Sequence, residues 1–143
     1  MKKLLLCTVC LGLSALIAVA GGEKSKLDGA WNATGGSADG KKFTEDFVAK
    51  LMLVITLKGN TYKVTVMDKQ VEAGTFTIDA KAKPMAIDLT IAEGQDKGKK
   101  QLGILKLEGE VMTAAFAKAG TDARPKNFDG GDGIDVTIMK RGK

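Results

Sequence analysis

Residues 51–67 read LMLVITLKGNTYKVTVM. Leu51 to Leu57 is an almost continuous apolar run. Thr61 to Met67 alternates, with Tyr62, Val64 and Val66 on one face and Thr61, Lys63 and Thr65 on the other. Successive side chains of an extended strand point to opposite faces, so a period of two marks a strand with one wet face. Only Lys58, Gly59 and Asn60 separate the two runs, and so short a connection permits only a hairpin. The stretch predicts two antiparallel strands, 51–57 and 61–67.

The same grammar extends in both directions. Downstream, VEAGTFTID (71–79) follows Asp68-Lys69-Gln70. MAIDLTIA (85–92) places Met85, Ile87, Leu89 and Ile91 on one face and Asp88 and Thr90 on the other. KQLGILKLE (100–108) and VMTAAFA (111–117) meet across Gly109, and IDVTIMKR (134–141) aligns Ile134, Val136 and Ile138. Upstream, LDGAWNAT (27–34) supplies a first strand, and GGSADGKK is expected to loop to Phe43. TEDFVAK (44–50), with an N-cap-like Thr44 and acids in its first turn, is expected to form one or two short helical turns. Eight strands joined by short turns are sequential antiparallel neighbours, and a meander of eight closes without an unpaired edge. The predicted fold is all-β, an eight-stranded antiparallel up-and-down barrel, with an open two-sheet sandwich as the alternative.

The N-terminus carries a different signal. Residues 1–20, MKKLLLCTVCLGLSALIAVA, combine Lys2 and Lys3, an uncharged run from Leu4 to Val19, and a small-x-small site at Ala18-Val19-Ala20. This is the pattern of a cleaved secretory signal peptide. A retained anchor is the competing reading, although the run is near the lower limit for crossing ~30 Å of hydrocarbon. Leu6 and Val9 precede the two cysteines where a lipoprotein signal requires a small residue. Residues 21–26 read as a polar tether and 27–143 as one domain. Of 143 residues, 123 remain after cleavage, enough for one modest core. Both cysteines leave with the signal, so packing alone must hold the fold. The formal charge of +5 falls to +3 with the loss of Lys2 and Lys3, and the remaining lysines are scattered. The expectation is a secreted or periplasmic protein with no membrane span after cleavage and no nucleic-acid surface.

The only tryptophan, Trp31, stands two residues after Gly29 at the start of the first strand. A closed barrel must be plugged at one end, and an indole at the first strand's entry can fold across it. The last strand lies beside the first in a closed ring, which brings Lys140 and Arg141 near that indole. Lys140 shares parity with Val136 and Ile138, whereas Arg141 is the better stacking group, so either is a candidate for the barrel floor. Gly29-Ala30-Trp31 with a terminal basic residue resembles the Gly-x-Trp signature of lipocalins. More closely, the chain resembles a family of small lipocalin-like proteins of planctomycete bacteria, for which no activity is established. The matching stretches are LDGAW, ADGKKF, LVITLKGNTYKVTV, EAGTFTID, KPMAIDLTI, EGQDKGKKQLGILKLEGEVM and ARPKNF, in order along the chain. The loop DGGDGIDV (129–136) and the pair Ala114-Ala115 depart from the family pattern. The resemblance implies a lipocalin-like barrel and implies no reaction.

The chain has no histidine, and the domain has no cysteine, which removes imidazole and thiol chemistry. Asp79 and Asp88 fall on turns or wet faces, Glu45 and Asp46 on a helix start, so no catalytic set and no cofactor is expected. GGDGIDV (130–136) matches the start of a calcium-binding nonapeptide, but in one copy, with Thr137 where a large apolar residue belongs. Asp129, Asp132 and Asp135 are weak candidate calcium ligands, set against an ordinary glycine-rich loop. Arg124 is expected in a local salt bridge and Phe128 as an anchor beneath the loop. The barrel interior is the main candidate site, lined by Tyr62, Val64, Phe76, Leu89, Ala114 and Phe116. Gly74 and Ala114 make room there, and no charged residue faces inward. The expected partner is a small apolar ligand oriented by Tyr62 or a threonine. The alternative is an envelope or extracellular interaction module with a filled barrel and no ligand.

Overall fold

The computed structural model describes residues 26–142; the expected signal peptide and all of the tether except Lys26 lie outside them. The barrel is built from β1 (Gly29–Ala38), β3 (Val54–Lys58), β4 (Thr61–Val66), β5 (Lys69–Asp79), β6 (Met85–Gly94), β7 (Lys100–Glu108), β8 (Val111–Ala117) and β9 (Ile134–Arg141). Each pairs antiparallel with the next, and β9 returns to pair with β1 from Trp31↔Arg141 to Ala38↔Asp135. An eight-stranded up-and-down barrel is thereby closed. A two-residue strand, β2 (Lys41–Lys42), pairs only with the far end of β1, and one short helix, α1 (Glu45–Leu51), follows it.

The hairpin at residues 58–61 forms as the spacing requires, with Gly59 at φ +61° and the Thr61 hydroxyl donating to the Lys58 carbonyl at 2.9 Å. Between β4 and β5 the turn is tighter still. Met67 and Asp68 both hold positive φ, 50° and 65°, the type I′ geometry whose twist matches the flanking strands. The helix is started by Thr44, whose side chain accepts from the Phe47 amide at 3.2 Å, and is ended by Met52 in the left-handed region at φ 47°. Leu51 thus belongs to the helix. The strand expected from residue 51 begins at Val54, because the helix signal wins over the apolar run.

A second correction concerns GGSADGKK. Its first four residues extend β1 to Ala38. Gly36 makes this possible: at φ +152° it lies so close to β9 that any Cβ would strike the Val136 carbonyl. Glycine here is the contact surface between two strands. β3 pairs with β1 only over Gly29–Asn32, and beyond it the edge of β1 is taken up by β2. α1 packs beside this stretch of β1 and buries Val48.

A third correction is the phase of β9. Met139 belongs to the barrel core, whereas Val136 joins Ile104 and Ala115 in a separate cluster, with Ile134 and Phe128 packed on it. Residues 118–133 cross the barrel's outer wall and cover this second cluster. Pinning them, Arg124 pairs with Asp88 at 2.6 Å and donates to the carbonyls of Ile87 and Gly103 at 3.2 and 2.9 Å.

Candidate functional site

The barrel has two unlike ends. At one, Trp31 is fully buried and its Nε1 donates to the Leu27 carbonyl at 2.8 Å. Arg141 lies over the indole with Cζ 4.3 Å from the ring centroid. Its Nη1 donates to the Asp28 carbonyl at 2.8 Å, its Nη2 to the Lys26 carbonyl, and its Nε faces Glu110 at 3.2 Å. Gly29 is the residue that lets the guanidinium in, since a Cβ there would stand 3.1 Å from Arg141 Nη1. Of the two cations that the sequence offers, Arg141 takes the floor. Lys140 points to solvent on the opposite parity, so its candidacy falls with the corrected phase of β9. Leu27, Leu57, Phe76, Leu105 and Met139 belong to the same buried core cluster as the indole, and Leu57, Leu105 and Met139 also line the cavity beside it.

Toward the other end the core loosens into a cavity of about 250 Å³. Five of the six expected interior residues line it: Tyr62, Val64, Leu89, Ala114 and Phe116. Phe76 does not; it is buried in the core cluster with Trp31 and Leu27. Gly74 does not open the cavity either. It sits at a bulge between β5 and β6, where a Cβ would run into the Thr90 carbonyl. The glycine that shapes the interior is Gly103, over which the Phe116 ring lies so closely that a Cβ would collide with it.

The expectation of an interior without charge is overturned. Glu72 and Asp135 both line the cavity, with Gln101 and Thr137. Glu72 accepts a hydrogen bond from the Tyr62 hydroxyl at 2.8 Å. Burial and that bond to a carboxylate push the Tyr62 phenol well above its ordinary range, so it stays a donor. Asp135 is itself exposed where the cavity reaches solvent. Desolvation raises its carboxyl above the usual aspartate range; a hydrogen bond from the Asp39 backbone and the Lys118 charge oppose this, while the Asp39 charge adds to it. Asp39 behaves oppositely: the Gly133 amide, at 2.8 Å, and Lys118, at 3.5 Å, hold its carboxyl below the usual value.

Both interior acids had a signal in the sequence. Glu72 shares parity with Phe76 and Ile78, and Asp135 shares parity with Arg141. Choosing Arg141 as the floor cation would have turned Asp135 and Thr137 inward. The three aspartates weighed as weak calcium candidates fall apart in position: Asp135 faces the cavity while Asp129 and Asp132 remain on the loop, and among the described residues no three metal-ligating side chains gather. Asp88 is paired outward with Arg124, and Asp79 accepts from the Lys81 amide in a turn. Among the described residues no helix is long and apolar enough to cross a membrane. A second hollow, a groove of about 640 Å³, lies on the outer wall between Pro84 and the Arg124–Lys126 segment.

The fold and site define an up-and-down β-barrel with a sealed floor and a hollow upper interior. No protein-family model, curated protein or solved structure matches this chain.

Proposed function

We propose that this chain is an exported, non-catalytic, lipocalin-like protein that holds a small, largely apolar molecule in its barrel. The observation that carries this reading is the cavity of about 250 Å³, walled by Ile55, Leu57, Leu89, Leu105 and Met112, with a plugged floor beneath it. At roughly 30 Å³ per water-sized group the space holds about eight non-hydrogen atoms, so the guest is smaller than a drug-sized ligand. The Gly29-Ala30-Trp31 floor under Arg141 supports lipocalin-like descent, and the N-terminal sequence pattern supports export. Non-catalytic action fits a cavity whose one phenol is locked as a hydrogen-bond donor.

Ligand-dependent melting tests this directly. A guest present at a hundred times its Kd stabilises the folded state by about 2.7 kcal/mol. Compounds of seven to nine heavy atoms are expected to raise the melting temperature of the wild type and not of Ala114→Phe. Native mass spectrometry of protein purified from its own host is expected to show a retained guest of that size. Failure of every such compound to bind the folded protein overturns the reading.

One feature favours the second reading, an interaction module. Phe47, Met52, Met67 and Val71 are all exposed at the barrel end where β3 begins and β4 ends. The Met67 amide donates to the Leu51 carbonyl at 3.0 Å, which joins the β4–β5 turn to the end of the helix beside Met52.

A further inference from the structure

Resting on the barrel-cavity reading above, we infer that the cavity selects a guest whose polar end is a small ammonium group. The polar side chains reaching the cavity are Tyr62, Glu72, Gln101, Asp135 and Thr137, and no lysine or arginine among the described residues lines it. Glu72 stands on β5 and Asp135 on β9, four strands apart in either direction around the ring of eight. The two carboxylates therefore occupy opposite walls.

What remains free on these groups is mostly acceptor. The Tyr62 hydroxyl donates its one hydrogen bond to Glu72 Oε1, which leaves Glu72 Oε2 unspent by that bond. Gln101 Nε2 donates one N–H to the Ala117 carbonyl at 2.9 Å, which leaves its Oε1 to accept and one N–H to donate. Asp135 offers a carboxylate, and the Thr137 hydroxyl serves in either sense. The cation acting on Asp135 is Lys118, which is itself paired with Asp39 at 3.5 Å. An ammonium brings three donors and a positive charge to this collar, an alcohol brings one donor, and a carboxylate brings a like charge and no donor. The apolar wall below, from Leu89 to Met112, takes the hydrocarbon.

Three seven-carbon probes separate the possibilities: n-heptylammonium, heptan-1-ol and heptanoate, titrated calorimetrically at pH 7 into the intact folded protein. Heptylammonium is expected to bind at least about tenfold more tightly than heptanol, since a charge-assisted hydrogen bond contributes at that scale, with heptanoate weakest. Glu72→Gln and Asp135→Asn are each expected to weaken heptylammonium several-fold while leaving heptanol within about twofold. Circular dichroism melts check that each variant is folded, and Asp135→Asn, at the exposed mouth, carries the test if Glu72→Gln unfolds. Heptylammonium binding no better than heptanol overturns the head-group selection and leaves the cavity reading standing. A preference that survives both substitutions also overturns it. Binding of none of the three overturns the cavity reading itself.

Discussion

Arg141 at the end of the last strand covers Trp31 at the start of the first, Cζ to ring centroid 4.3 Å, while two of its nitrogens donate to the carbonyls of Lys26 and Asp28. One side chain thus joins the barrel's closing seam, its floor and the segment that leads into β1. The carbonyls would otherwise lack these donors, and the indole face would lose its cover.

Removing this group has a predictable cost. The stacked cation contributes about 0.5–2 kcal/mol and a hydrogen bond from a charged donor about 1.5–3 kcal/mol. Arg141→Ala is therefore expected to lower the unfolding free energy by about 2–4 kcal/mol in urea titrations. Arg141→Lys keeps the charge but cannot span both carbonyls, so it recovers only part of the loss. Lys140→Ala, at an exposed position one residue away, is expected to change stability by no more than about 0.5 kcal/mol. Equal effects at 140 and 141 would contradict the floor as described. Glu110, largely exposed, adds little to the cluster.

Ala114 is buried, lines the cavity and pairs with Leu105 and Thr137 across the neighbouring strands. A phenyl ring placed there finds empty space, so Ala114→Phe is expected to stay folded with stability within about 1.5 kcal/mol of the wild type. It is also expected to lose uptake of small apolar compounds. In a filled barrel the same change is overpacking and costs about 1–3 kcal/mol or more. Thermal melts with and without heptanol read both consequences.

The strands were legible because β4 to β6 keep polar residues on one face, which preserves the period of two. The phase of β9 was not. Ile134 and Val136 on its outer face pack in the cluster with Phe128, while its inner face carries the polar Asp135 and Thr137 at the cavity, so the apolar residues here mark the outside of the barrel and not the inside. β1 was cut short because glycine pairs read as loop, whereas Gly36 is there to let β9 approach. The interior acids were lost to the premise that a barrel core is apolar, although parity with Phe76 already placed Glu72 inside. The candidate site was thus half visible: its apolar wall from pattern, and its polar collar only from the closed ring.

Two glycines discriminate backbone from side-chain crowding. At Gly74 a Cβ meets the Thr90 carbonyl, which cannot rotate away. At Gly103 it meets the Phe116 ring most closely and also the Ala115 carbonyl at 2.7 Å, so only part of the crowding there is side chain. Gly74→Ala is expected at or above the top of the about 1–3 kcal/mol range for overpacking, and Gly103→Ala within it. Phe116→Ala, combined with Gly103→Ala, is expected to show a favourable coupling energy of about 0.5–2 kcal/mol. The same double cycle with Gly74→Ala is expected to be additive. Urea midpoints at constant m-value measure all of these.

Asp39 and Asp135 predict opposite pH responses from neighbouring positions. Burial, with the Asp39 charge adding to it, raises the folded-state pKa of Asp135, so its proton is held more tightly folded than unfolded. Its contribution is then favourable while the carboxyl is protonated and is lost as pH rises through the unfolded and then the folded pKa. Asp135→Asn is therefore expected to stabilise the protein at neutral pH, with the gain vanishing below the ordinary aspartate pKa of about 3.9. The Gly133 amide and Lys118 depress the folded pKa of Asp39, so it stabilises above the unfolded value and ceases to do so as pH falls through the folded one. Asp39→Asn is expected to destabilise at neutral pH, and the loss should disappear in acid. Melting temperatures of both variants between pH 3 and 7 check the signs. A loss of stability in Asp135→Asn that is the same at both ends of that range would mean that the carboxylate serves as an acceptor for the Asp39 backbone and not as a desolvated charge.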